Sequence, residues 1–119
     1  MRNSWEYVLN ASPPRIYVTI SRLASGDWLV RVCGELDSFT AFTFRTHLDE
    51  PLCDGDGEIH LDLGELEFCD HAGLRALREV ELAAEPGRVR IIAVHPCVDL
   101  VMRLCGLETL LGHRPHSES

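Results

Sequence analysis

Cys69, Asp70 and His71 place a thiol, a carboxylate and an imidazole next to one another, the residue types of nucleophilic and acid–base catalysis. Adjacent residues on one chain rarely point at each other as a nucleophile and its base must, and no G-x-S-x-G elbow surrounds them. The expectation is therefore a chain that is not an enzyme. None of the six histidines pairs with another at i, i+3 or i, i+4 on a predicted helix, and His113 and His116 fall in a polar tail. No metal site is expected. Gly34, Gly64 and Gly73 are isolated, without a G-x-x-x-x-G-K or G-x-G-x-x-G pattern, so no nucleotide cofactor is expected either. What remains is the start of a helix at residues 70–73. Its free N–H groups and positive dipole end favour a negative charge held or added there. The plainer reading of the same residues is a capped helix start.

Composition narrows the partners. The chain has 119 residues, 45% of them apolar and 25% charged, which suits one domain with a core of its own. The formal net charge is -8, lysine is absent, and the eleven arginines are scattered. Neither a phosphate backbone nor an anionic membrane surface would find clustered cations here, so nucleic acid and membrane are excluded as expected partners. The apolar runs are short and Met1-Arg2-Asn3-Ser4-Trp5-Glu6 lacks a secretory h-region, pointing to a cytoplasmic location. Cys33, Cys53, Cys69, Cys97 and Cys105 are odd in number with no C-x-x-C pair. They read as buried thiols packed as small hydrophobes rather than as redox or metal ligands.

These residues must be held by elements the patterning predicts. Residues 1–14 end in Ser12-Pro13-Pro14 and read as an extended lead-in. Residues 16–23 and 28–33 are rich in β-branched and aromatic types around Ser25-Gly26-Asp27, a hairpin. Its second strand sets Trp28, Val30 and Val32 against Leu29, Arg31 and Cys33 with neither face wholly polar, as expected when helices cover one side of the sheet. Ala41, Phe44, Leu48 and Leu52 share a helical stripe, with Asp37 or Ser38 able to cap its start. After the turn at 54–57, residues 58–63 alternate as a strand, residues 64–70 connect, and Asp70 caps a helix with Leu74, Leu77, Val80 or Glu81, and Ala84 along one side. Pro86-Gly87 ends it, residues 89–94 form a buried-type strand, and His95-Pro96 opens a helix bearing Val98, Val101, Met102 and Cys105. Gly106 closes that helix, a last apolar segment covers 107–111, and residues 112–119 are a polar tail. The order β-β-α-β-α-β-α implies parallel strand pairs with right-handed crossovers.

The order and spacing of four short segments resemble a known family. Val32-Cys33-Gly34-Glu35-Leu36-Asp37-Ser38-Phe39-Thr40-Ala41 comes first. Leu61-Asp62-Leu63 and Phe68-x-Asp70-x-Ala72-Gly73-Leu74 come next, and Cys105-Gly106-Leu107 last. Over roughly residues 16–111 the chain resembles the STAS-domain anti-sigma factor antagonists. The resemblance implies an α/β STAS fold, a mixed four- to five-stranded sheet with helices packed mainly on one side. It implies a domain at 15–111 between an N-terminal extension at 1–14 and a tail at 112–119. It also implies a bacterial transcription regulator that docks on an anti-sigma factor, commonly a GHKL-type ATPase and serine kinase, with no cofactor. The implied partner-binding residues are Glu35, Asp37, Ser38, Thr40, Asp70, His71, Ala72, Gly73 and Arg75.

The chain departs from that pattern at one place, because His71 stands where the family has its phosphorylated serine and Ala72 follows. Ser38 and Thr40 are the nearest hydroxyls in the neighbouring loop, where helix capping explains them as well. His71 has three readings: a contact side chain without chemistry, a protonation switch, since imidazole titrates near neutrality, or a phosphohistidine. Arg75 and Arg78 border the same face, or are simply solvated. The alternative function is a STAS scaffold that assembles with other STAS proteins or with a transport system.

Overall fold

The computed structural model describes residues 15–54 and 56–107. The lead-in at 1–14, Gly55, residues 108–111 and the tail with His113 and His116 lie outside the described residues. Among those described, β1 (Ile16–Arg22) and β2 (Trp28–Leu36) form the expected hairpin, in register from Ile16 opposite Gly34 to Arg22 opposite Trp28. Its turn is closed by Gly26 N–H donating to Leu23 O at 2.9 Å and by Ser25 Oγ donating to Asp27 Oδ2 at 3.1 Å. Then follow α1 (Ala41–Cys53), β3 (Ile59–Cys69), α2 (His71–Ala83), β4 (Val89–Val94) and α3 (Pro96–Leu104). The sheet order is β1-β2-β3-β4, with β2, β3 and β4 parallel to one another and β1 antiparallel. This is the mixed sheet that the patterning requires.

One face of the sheet is apolar and buried. Trp28, Val30 and Val32 of β2 align with Ile59, Leu61 and Leu63 of β3 and with Val89 and Ile91 of β4, and join Phe44 and Leu48 of α1, Leu77 and Val80 of α2, and Val98 and Met102 of α3 in one cluster. All three helices pack on that face. The other face carries Tyr17, Arg31, His60, Asp62, Arg90 and Ile92, exposed or half-buried, with Arg31 Nε 3.1 Å from Asp62 Oδ2. The α2 stripe resolves in favour of Val80, which is buried, over Glu81. Pro51 sits inside α1 in its last turn, where its missing N–H removes one i→i−4 hydrogen bond. Arg88 donates to the terminal carbonyls of the helix, Pro51 O at 2.8 Å and Leu52 O at 3.3 Å, which have no intrahelical partner.

Four expectations need correction. β3 does not end at Leu63: it runs to Cys69, and the stretch expected as a connection pairs with the second half of β2, Leu36 lying opposite Cys69. The register shifts between Arg31 and Cys33 and again between Gly34 and Glu35, and such bulges break the period-two pattern from which a strand is read. β2 correspondingly reaches Leu36 through Gly34, which has φ 109° and whose absent Cβ would lie 2.1 Å from Arg15 O. Only glycine fits there. The N-cap of α1 is Thr40, not Asp37 or Ser38, because the chain turns once more before the helix begins. Of the five cysteines only Cys69 is buried; Cys53, Cys97 and Cys105 are exposed and Cys33 is half-buried. Their apolar neighbours in sequence do not face the same way, Cys105 standing just past the end of α3.

Candidate functional site

The ends of β2 and β3 lie side by side, and everything that follows them converges. Asp70 N–H donates to Leu36 O at 3.2 Å, which ties the start of α2 to the end of β2. Gly73 makes the approach possible: a Cβ there would stand 2.3 Å from Leu36 O and 2.8 Å from Cys69 Sγ. The loop at 34–40 and the helix start at 70–75 thus adjoin. There the nine expected residues divide.

In the loop, Asp37 and Thr40 are occupied with each other. Asp37 Oδ1 accepts from Phe39 N at 2.9 Å and Thr40 N at 3.0 Å, while Asp37 N donates to Thr40 Oγ1 at 2.9 Å. Thr40 is 2% exposed and its hydroxyl lies 2.9 Å from Glu35 O. Glu35 pairs with Arg15 at 3.4 Å. The loop therefore presents only Ser38 and Phe39 outward. At the helix start, Asp70 is the N-cap as expected, its Oδ1 accepting from Gly73 N at 3.0 Å, and its carbonyl accepts from Leu74 N at 2.9 Å. Gly73 is buried, Ala72 half-buried, and His71 and Arg75 are exposed.

The thiol–imidazole pair is not assembled. Cys69 is turned into the core and His71 out to solvent. Burial, with the Asp70 charge and then Cys105 adding to it, pushes the Cys69 thiol from its ordinary 9.0 up to about 12, which removes the thiolate a nucleophile needs at neutral pH.

Three features escaped the sequence reading. Phe39, in the loop, is 85% exposed and Phe68, at the end of β3 beside the helix start, 48% exposed. A shallow groove of about 230 Å³ runs along the outer side of α2 to the end of α3, lined by His71, Leu74, Arg75, Arg78, Cys105 and Leu107. Across the hairpin end of the sheet, one ligand atom each from Asp27, Glu58 and His60 come within 4.8 Å of one another, residues separated by 31 positions or more or by a single residue within β3 and its approach. Hydrogen bonds account for this group. Asp27 Oδ1 accepts from Glu58 N at 2.9 Å, holding the Asp27 carboxyl below its usual range, and Glu58 Oε1 lies 2.9 Å from His60 Nε2.

Comparison with known proteins agrees with this architecture. A family model described as "Mlab, STAS domain" matches residues 21–112. The chain is similar to the crystal structure of an anti-sigma factor antagonist from Mycobacterium paratuberculosis, with a TM-score of 0.76 at 23% identity over 87% of this chain and 89% of that one. It is similar also to the antagonist SpoIIAA in its unphosphorylated form, with a TM-score of 0.63 at 21% identity over 86% and 91% of the two chains. For the Bacillus cell fate determinant SpoIIAA in its phosphorylated form the TM-score is 0.60 at 19% identity over 86% and 95%. At these identities the structures speak for the fold, and the matched pattern speaks for the family: the chain belongs to the STAS domain family.

Proposed function

We propose that this chain is an anti-sigma factor antagonist that works in the cytoplasm. It binds an anti-sigma factor of the GHKL serine-kinase type through residues 34–40 and 70–75, and so regulates sigma-factor-dependent transcription. It does so as a binding protein, without cofactor and without the serine switch. The observation that carries this reading is the exposed tip of α2, capped by Asp70, with His71 at the position where the resemblance places a phosphorylated serine. A phosphoserine there would add about -1.5 to -2 charges beside Asp70; His71 offers no hydroxyl to receive them. Thr40 cannot substitute, since its hydroxyl is buried and bonded. Ser38 is the exposed hydroxyl of the loop.

The test is gel filtration of the purified chain with GHKL-type anti-sigma factors from the same cell, with and without ATP. A complex that ATP leaves intact supports the reading. ATP-dependent release with phosphate on the chain would remove the claim of switch-free binding, and no complex with any anti-sigma factor would favour the scaffold alternative. His71→Ser should restore a phosphate acceptor for a kinase partner, visible as transfer of labelled phosphate to that variant alone.

A further inference from the structure

The outer side of α2 holds a charge arrangement that differs from the rest of the surface. Every other arginine among the described residues is engaged. Arg15, Arg22, Arg31, Arg45, Arg90 and Arg103 pair with Glu35, Asp54, Asp62, Glu79, Glu58 and Asp99, and Arg88 bonds backbone carbonyls. Arg75 and Arg78 are exposed and have no such partner among the described residues. They stand one helical turn apart, with His71 a further turn toward the tip, so the three form a stripe about 10 Å long. In a chain of net charge -8, two adjacent unneutralised guanidinium groups are where a negatively charged partner gains most. The groove beside them has an apolar floor, Leu74 and Leu107 being 6% and 4% exposed. Its volume of about 230 Å³ is below the roughly 300–1,000 Å³ of a small-molecule pocket. It suits the side chains of a docked segment.

We propose that this groove receives an acidic amphipathic helix of the protein partner, with carboxylates at i, i+3 or i+4 spacing set against Arg75 and Arg78 and an apolar side chain seated over Leu74 and Leu107. This is the helix-in-groove mode of recognition. The inference rests on the reading above in treating the α2 tip as the docking face, and adds to it the chemistry that the partner must carry.

The test uses the full chain and a fluorescein-labelled helical peptide bearing Glu on one stripe and Leu on the next, beside versions with Gln or Lys in place of Glu. Anisotropy gives affinity, and amide chemical shifts of the isotope-labelled chain give location. The Glu peptide should perturb residues 71–78 and 105–107, and should weaken about tenfold in the R75E/R78E variant, two exposed charge pairs being lost. The Lys peptide should bind that variant in preference to the unaltered chain, which a merely unfolded variant would not do. Shifts centred elsewhere, equal binding of the Gln peptide, or indifference to R75E/R78E would each overturn the proposal. Perturbation of the same amides by raising the chain's own concentration would assign the groove to a second copy and overturn it too. The two readings fail separately. An anti-sigma complex that R75E/R78E leaves unchanged removes the groove and spares the partner class, whereas charge-dependent peptide binding with no anti-sigma complex spares the groove and removes that class.

Discussion

The loop at 34–40 and the helix start at 70–75 adjoin, yet they spend their polar groups in opposite ways. In the loop the side chains of Asp37 and Thr40 are consumed by local hydrogen bonds, and what faces outward is Ser38 and Phe39. At the helix start one carboxylate settles the backbone, and His71, Arg75 and Arg78 are left to solvent. Residues of recognisable motifs are therefore of two kinds, those that hold a surface in shape and those that it presents. A substitution of the first kind should show in stability, and one of the second in binding alone.

The largest effect should come from the contact that joins the two regions. Gly73→Ala would drive a Cβ to within 2.3 Å of Leu36 O, backbone that cannot give way, and should cost about 3 kcal/mol in urea unfolding, at the upper end of overpacking penalties. A variant as stable as the parent would show that the loop and helix start are not locked together. Next, Thr40→Val keeps the shape and deletes the hydroxyl that answers both Asp37 N and Glu35 O. It should lose about 1–3 kcal/mol, the penalty of a buried polar group left unpaired. Asp70→Ala should lose about 1 kcal/mol as a helix cap, so its docking must be measured at a temperature where it remains folded.

Alkaline titration probes the same junction. The folded state keeps the Cys69 proton to about 12 against an ordinary 9.0. Below pH 9 both states hold that proton and the contribution is whole; above it the unfolded state releases the proton first, and stability falls as pH rises toward 12. One proton sets the limiting slope at about 1.4 kcal/mol per pH unit, reduced because the site is not fully shielded from water. Cys69→Ala should flatten the decline between pH 9 and 10.5; an unchanged decline would place its source elsewhere. The smallest effect on stability should be that of His71→Ala, within about 0.5 kcal/mol of the parent. If that variant also binds an anti-sigma factor as the parent does, His71 belongs with neither kind and is plain solvated surface.

Much of the fold was legible without coordinates. The stripe through Phe44 and Leu48, the alternation of Ile59, Leu61 and Leu63, the Asp70 cap and Pro96 opening a helix are all local patterns, readable over one or two turns of chain. The second half of β3 was not, because its bulged pairing with β2 depends on a strand some 30 positions earlier. The same limit hid the burial of Thr40 and the Asp27, Glu58 and His60 group.

What the amino-acid order determined by itself was the succession of elements, the side each turns inward and the position where α2 starts, since periodicity and capping act between neighbours in the chain. Which motif residues face solvent, and which arginines among the described residues find a carboxylate or a backbone carbonyl while Arg75 and Arg78 find neither, were decided only when distant segments met. Burial and ion pairing depend on neighbours in space, and those come from elements far apart along the chain.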